Sequence, residues 1–217
     1  MRRGPNSGQA DGMGFYEKHV LPWVIHLAMK NREVTRYRKR VIPAARGRVL
    51  EVGIGSGLNL PFYSSEVEAV YALDPSERLL AMARKAARKA PFGIELVARS
   101  AEEIPCDDKT FDSVVVTWSL CSIADAPKAL GEMRRVLRPD GELIFIEHGL
   151  SSEPRIEAWQ NRLNPLWKRC AGGCNLNRPM DVLIRAAGFR ITRLETGYLL
   201  KGPRPLTYHY EGRARRG

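Results

Sequence analysis

The sequence predicts a single α/β domain, a sheet of seven strands with helices on both faces, and three observations carry that expectation. Seven short apolar, β-rich runs alternate with helical patterns from Arg48 onward. The first run leads straight into the glycine-rich stretch "VGIGSG" at residues 52–57, and the second ends on an acid, Asp74. Strand, glycine turn and acid in that order are the parts of a nucleotide-binding βαβ unit, which makes the fold Rossmann-like.

The seven runs occupy residues 48–52, 69–74, 94–99, 112–119, 142–149, 189–196 and 206–212. Helical signals fill the gaps between them. Ser76 can cap the segment that begins at Glu77, and Asp125 can cap the one that begins at Ala126 and ends before the turn "RPDG". A third helical segment has Pro179 early and Gly188 at its end. Residues 151–175, with Trp159, Trp167, Pro154 and Pro165, exceed an ordinary strand-to-helix connection and read as a functional excursion or lid. Ahead of the sheet, residues 1–12 are polar and glycine-rich and read as a disordered leader, and residues 13–47 as a helical cap.

Composition narrows the class. With 44% hydrophobic residues in 217, the chain buries a full core, yet no run of 18 apolar residues is present to span a bilayer. Four cysteines, Cys106, Cys121, Cys170 and Cys174, predict free thiols in a reducing, cytoplasmic setting. The C-x3-C pair at 170 and 174 lacks the second ligand pair of a zinc site, so no metal is expected. A net charge of +11 suits an acidic partner, but the charge is spread over several helical segments and the tail. Nucleic acid is therefore disfavoured, while the basic leading segment is the candidate for peripheral contact with an anionic membrane. The oligomeric state is left open.

The glycine loop narrows the ligand. Gly53, Gly55 and Gly57 allow a tight turn and close approach of the backbone, but the third glycine comes one position early for a dinucleotide fingerprint, and no Walker lysine follows. Glu51, two residues before the first glycine, would repel a pyrophosphate and suits a cationic, zwitterionic ligand such as S-adenosylmethionine. Asp74 stands where an acid can accept both ribose hydroxyls, and Ser100, Ala101 and Glu102 follow the third run, where adenine would lie.

From "VLEVGIGSG" through "LDPSE", "SAEEIPCDDKTFDSVVVTWSL" and "LRPDGELIFIEHG", about a hundred residues in all, the chain resembles the class I S-adenosylmethionine-dependent methyltransferases. Within that class "VVVTWSLCSI", "FIEHG", "GGCNLNRPMDVLIRAAGF" and "PLTYHYEG" are similar to the methyltransferase-like family whose animal members methylate alkyl thiols, and more distantly to ubiquinone/menaquinone methyltransferases. The resemblance implies a last strand inserted antiparallel, and S-adenosylhomocysteine as product. It carries a cofactor role onto Glu51, Gly53, Gly55, Gly57, Asn59, Asp74, Pro75, Ser100, Ala101 and Glu102, and places Thr117 and Trp118 near the transferable methyl. The animal proteins carry a hydrophobic anchor in front; here that region is charged and interrupted by Pro22.

The expected reaction is methyl transfer to a small apolar acceptor, a thiol or a lipid- or quinone-like compound. Transfer from a sulfonium is an in-line displacement, so the protein must above all align the reactants and exclude water. His148, after the strand "LIFIE", is the candidate base. Tyr16, His19 and Trp23 from the leading segment, with Trp159 and Trp167, are expected to roof an apolar acceptor pocket. The alternatives are a protein that modifies or binds RNA, and a regulator that binds S-adenosylmethionine without catalysis.

Overall fold

The structure, a computed structural model, describes residue 14 and residues 20–217. The leader and the candidate roof residues Tyr16 and His19 lie outside the described residues. Two helices come first, α1 (Leu21–Met29) and α2 (Arg32–Val41), followed by β1 (Gly47–Val52), β2 (Val67–Leu73), α3 (Glu77–Ala87), β3 (Gly93–Val97) and β4 (Phe111–Thr117). Then come α4 (Ala126–Val136), β5 (Leu137–His148), α5 (Pro154–Cys170), α6 (Met180–Ala186), β6 (Phe189–Tyr198) and β7 (Tyr208–Arg216). Among the described residues no helix is long and apolar enough to cross a membrane.

All seven strands form one sheet in the order β3-β2-β1-β4-β5-β7-β6. The first five are mutually parallel, and β7 inserts antiparallel between β5 and β6. The chain runs outward from β1 through β2 and β3 and returns to β4 on the other side of β1. A crevice opens at such a switch point, at the carboxyl ends of the strands.

Alternation along the strands explains the two-faced core. Leu50, Val52, Val114, Val116, Leu143 and Phe145 pack on one face with Leu130 and Met133 of α4 and Ile184 of α6. Val49, Val70, Ala72, Val115, Ile144 and Ile146 pack on the other with Leu80 and Ala83 of α3 and Val41 of α2. Strands buried on both faces carry continuous apolar runs, as Val114, Val115 and Val116 do in β4. The two expected caps are made: Ser76 accepts from the Leu79 N–H at 3.3 Å, and Asp125 from the Lys128 N–H at 3.0 Å.

The structure departs from expectation at three places. β5 begins at Leu137, so the "RPDG" turn is a bulge inside it, where pairing jumps from Phe111↔Leu137 to Ser113↔Glu142. β7 runs to Arg216 rather than stopping at Gly212, because its backbone is paired on both sides and Glu142 meets Arg213 and Arg215 at 3.5 and 3.8 Å. Most of the 151–175 excursion is the 17-residue helix α5. It is tied to the sheet by fully buried Gln160, which accepts from the Ser151 N–H at 2.8 Å and donates to the Gly149 and Pro205 carbonyls at 3.0 and 3.1 Å.

Glu147, the penultimate residue of β5, has no exposure. Its carboxylate accepts the backbone N–H groups of Ser119 and Leu120 at 2.9 Å each and of Cys121 at 3.1 Å, and so clamps the loop that follows β4. Burial raises its pKa to about 7 against the opposing pull of those three donors. Glu147→Gln turns an amide N–H toward one backbone donor and should lower stability by about 1–3 kcal/mol, and Glu147→Ala, which strands all three donors, by more. Urea titration reads both; a Glu147→Ala midpoint equal to wild type would refute the clamp.

Candidate functional site

The cleft at the switch point has a volume of about 430 Å³, within the ordinary range for small-molecule sites. The glycine loop forms one wall. Gly53 has φ +72°, and a Cβ there would stand 2.0 Å from Ser119 Oγ. Gly55 has φ +56°, and its missing side chain would face open space. Both line the cleft, and their backbone can meet a ligand without an intervening side chain. Gly57, at φ +80°, serves packing instead. A Cβ there would press on Ala83 and Ala86 of α3 at 3.3 and 3.1 Å, and the residue does not line the cleft.

Asp74 closes the wall. Its Oδ2 accepts the Gly55 N–H at 2.9 Å and its Oδ1 the Ser76 N–H at 2.8 Å. Each oxygen retains acceptor capacity for a hydroxyl. Burial pushes the carboxyl upward, and the two N–H donors oppose the shift. Pro75, Ser100, Ala101 and Glu102 line the same end. A diol-bearing nucleoside fits this constellation of bare backbone, acceptor carboxylate and polar loop.

Glu51 lies behind the glycine loop, 1% exposed, and does not line the cleft. Its two oxygens accept from Asn59 Nδ2 at 2.8 Å and from the Tyr63 hydroxyl at 2.9 Å. Asn59 Nδ2 also donates to Thr117 Oγ1 at 3.0 Å, and Asn59 Oδ1 accepts from Arg38 Nε at 2.9 Å. Arg38 is 4% exposed, donates to the Met29 carbonyl at 2.7 Å, and sets its guanidinium 4.9 Å from the centre of the Trp118 ring. The result is a carboxylate–amide–guanidinium relay in which Asn59, Thr117, Trp118 and Arg38 face the cleft and Glu51 stands behind. Burial moves both charged ends toward neutrality: Glu51 rises to about 7, and Arg38 falls to about 10 against the attraction of Glu51.

The roof comes from α1. Leu21, Pro22, Ile25 and Met29 give the cleft an apolar ceiling that continues into Trp118 and Ile123, and Gly172, just after α5, completes it. His26 fastens this ceiling to the glycine loop, its Nδ1 2.7 Å from Ser56 Oγ. Trp23 and Trp159 are about half exposed, and neither they nor Trp167 line the cleft. Among the described residues of α1 the ceiling is therefore aliphatic, and the expected contribution of Trp23, Trp159 and Trp167 is absent. α1 turns Trp23 outward while Leu21, Ile25 and Met29, at helical spacing, point inward.

His148 is likewise outside the cleft. The antiparallel insertion of β7 pairs it with His209, whose ring lies between it and Trp118, at 5.5 Å from the one centroid and 6.3 Å from the other. His148 contacts the Cys174 sulfur instead, at 3.5 Å. Sequence reasoning missed Arg38, His26 and the α1 ceiling. A signal for Arg38 was present: Val34, Arg38 and Val41 form one buried stripe of α2, so the arginine occupies a core position of an amphipathic helix.

The relay has a pH signature. Because the folded pKa of Glu51 is raised from 4.5 to about 7, the folded protein holds a proton there that the unfolded chain has released. The contribution of this group to stability is therefore present at about pH 4.5 and is lost as the pH rises to 7. In Glu51→Gln the dependence disappears, so the stability of wild type relative to the variant should fall between pH 5 and pH 8 by on the order of 3 kcal/mol. Denaturant titrations at the two pH values measure it; parallel curves would refute a buried, titrating Glu51.

Comparison with known proteins gives this geometry a family. Residues 50–145 match the model of a methyltransferase domain. The human thiol S-methyltransferase TMT1A is 32% identical over 174 residues, covering 78% of this chain and 71% of that protein. Phosphatidylethanolamine N-methyltransferase of Cereibacter sphaeroides is 39% identical over 111 residues, covering 49% and 53%. The chain also spans 62% of the rat thiol S-methyltransferase TMT1B, so it matches between about half and seven-tenths of these relatives' lengths. In fold it is similar to a SAM-dependent methyltransferase from Methanosarcina mazei, at a TM-score of 0.63 with 19% identity, over 78% of this chain and 92% of that one. Family model, relatives and sheet order agree: the chain belongs to the class I S-adenosylmethionine-dependent methyltransferases.

Proposed function

We propose that this protein transfers a methyl group from S-adenosylmethionine to a small apolar acceptor, foremost an alkyl thiol. The observation that carries the reading is the division of the cleft. One end is polar, with Asp74, Ser100 and Glu102, and the other is a ceiling of Leu21, Ile25 and Met29 over Trp118 and Ile123. The naming of human TMT1A as a thiol S-methyltransferase supports the choice of acceptor atom.

In this reading Asp74 holds the ribose, residues 100–102 flank the adenine, and the bare edges of Gly53 and Gly55 meet the amino-acid portion. Glu51 acts through Asn59, supplying negative potential toward a cationic ligand while out of contact with it. Bound S-adenosylmethionine supplies an electrophilic methyl on a sulfonium, and displacement by a thiolate forms a thioether. The α1 ceiling and Trp118 keep water out and hold the acceptor in line. A thiol of ordinary pKa near about 8.5 is mostly protonated at pH 7, so a base helps. His26, at the cleft surface, is the imidazole with access, in place of His148.

Calorimetric titration with S-adenosylmethionine and S-adenosylhomocysteine tests the donor end. Asp74→Ala should weaken both by roughly a hundredfold, the loss of two charge-assisted hydrogen bonds at about 1.5 kcal/mol each. A screen of alkyl thiols, a quinol and phosphatidylethanolamine then tests the acceptor, and turnover confined to the amine or the quinol would overturn the thiol reading. If His26 takes the proton, His26→Ala should lower kcat/KM for the thiol by about a hundredfold at pH 7 and progressively less toward pH 9, where the thiol ionises unaided. An equal loss at both pH values would assign His26 to packing alone.

A further inference from the structure

We propose that Cys174 and Cys121 form a redox-active dithiol which small disulfides oxidise to a Cys121–Cys174 disulfide, and that this bond weakens cofactor binding. Cys121 is buried in the loop after β4, and Cys174 is half-buried in the connection between α5 and α6. Asn175 holds the two segments together: its N–H and its Nδ2 both donate to the Cys121 carbonyl, at 2.9 Å each. Cys174 packs against the core cluster that contains Cys121, and its Sγ lies 3.5 Å from His148 Nδ1. His148 Nε2 is buried without a partner. Among the described residues no three His, Cys, Asp or Glu side chains are arranged to hold a metal, so the cluster is a thiol pair and an imidazole.

The pair is asymmetric, as an attacking and a resolving thiol need to be. Hydrogen bonding from Cys121, and then from His148, holds Cys174 well below the ordinary thiol range against its burial, whereas its contact with Cys174, and then burial, pushes Cys121 up. The Cys174 thiolate attacks a small disulfide and releases one thiolate, leaving a mixed disulfide on Cys174. Cys121 then loses its proton and attacks the Cys174 sulfur, releasing the second small thiol. The two protein sulfurs are oxidised and the small disulfide is reduced to two thiols. The choice of oxidant rests on the proposed acceptor, whose oxidised form is such a disulfide.

The cleft would feel the bond. A disulfide of about 2.05 Å is much shorter than any non-bonded approach of two sulfurs, so the two segments must draw together. Ser122, next to Cys121, and Gly172, two residues before Cys174, both line the cleft. Cys121 is also clamped with Ser119 on the one Glu147 carboxylate, and Ser119 Oγ donates to the Gly53 carbonyl at 3.2 Å. Movement at Cys121 therefore reaches the glycine loop through groups that are already in contact.

The test uses the full chain with Cys106→Ser and Cys170→Ser, which leaves only the proposed pair. It is treated with 2-hydroxyethyl disulfide, and the products are read by intact mass, by peptide mapping, and by calorimetric titration with S-adenosylhomocysteine. We expect loss of two hydrogens, a mapped Cys121–Cys174 link, and an S-adenosylhomocysteine Kd raised about fivefold or more and restored by reductant. In the same background Cys121→Ser should stop at a mixed disulfide on Cys174. Absence of the link while the denatured protein reacts would overturn the proposal, as would a link that leaves the Kd unchanged. Failure of every thiol in the acceptor screen would sink the thiol reading and leave the mapped link intact, so the two failures are distinct.

Discussion

The buried relay from Glu51 through Asn59 to Arg38 is the constraint around which the site is assembled. It joins the end of β1, the turn after the glycine loop, the end of β4 at Thr117 and the helix α2. Removing one member of a buried charged set leaves its partners desolvated and unpaired, which costs more than the set contributes intact. The relay therefore acts chiefly as a specification of geometry. It holds α2, and through the Met29 carbonyl the end of α1, over the carboxyl edge of the sheet.

A second buried carboxylate works on the opposite side of the switch point. Glu51 sits behind the loop that follows β1, and Glu147 clamps the loop that follows β4. Both are raised toward neutrality by burial; Glu51 is held by the side chains of Asn59 and Tyr63, and Glu147 by backbone N–H groups of the loop after β4. The carboxyl edge of a parallel sheet is where successive loops crowd, so unpaired backbone N–H groups collect there, and a carboxylate is the side chain with most acceptor capacity to satisfy them. Ser119 ties the two systems together, its N–H on Glu147 and its hydroxyl on Gly53.

The functional consequence is a cleft whose two ends are made by different parts of the chain. The polar end is built from loops of the sheet, with Asp74, Ser100 and Glu102 in its lining. The apolar end is the helix α1 laid across the sheet from outside, fastened to the glycine loop through His26 and Ser56 and held from α2 by Arg38, which donates to the Met29 carbonyl and stacks over Trp118.

The sequence by itself determined the sheet, its order of elements and the loops that line the polar end of the cleft. Strand periodicity, three glycines and an acid at a strand end are local patterns, and the chemistry they imply depends on residues close to one another along the chain. The caps at Ser76 and Asp125 were legible for the same reason. What only the tertiary structure decided depends on contacts across long separations. His148 reads as a cleft residue until β7 inserts beside it and sets His209 between it and Trp118. Glu51 reads as a ligand contact until Asn59 and Tyr63 enclose it. Trp23 reads as a roof residue until the rotation of α1 turns it outward and leaves Leu21, Ile25 and Met29 facing in. Periodicity shows that a helix has an apolar stripe; which end of a cleft the stripe covers is set by where that helix docks, and a buried arginine paired through an amide to a distant glutamate leaves only a faint mark in the pattern of one helix.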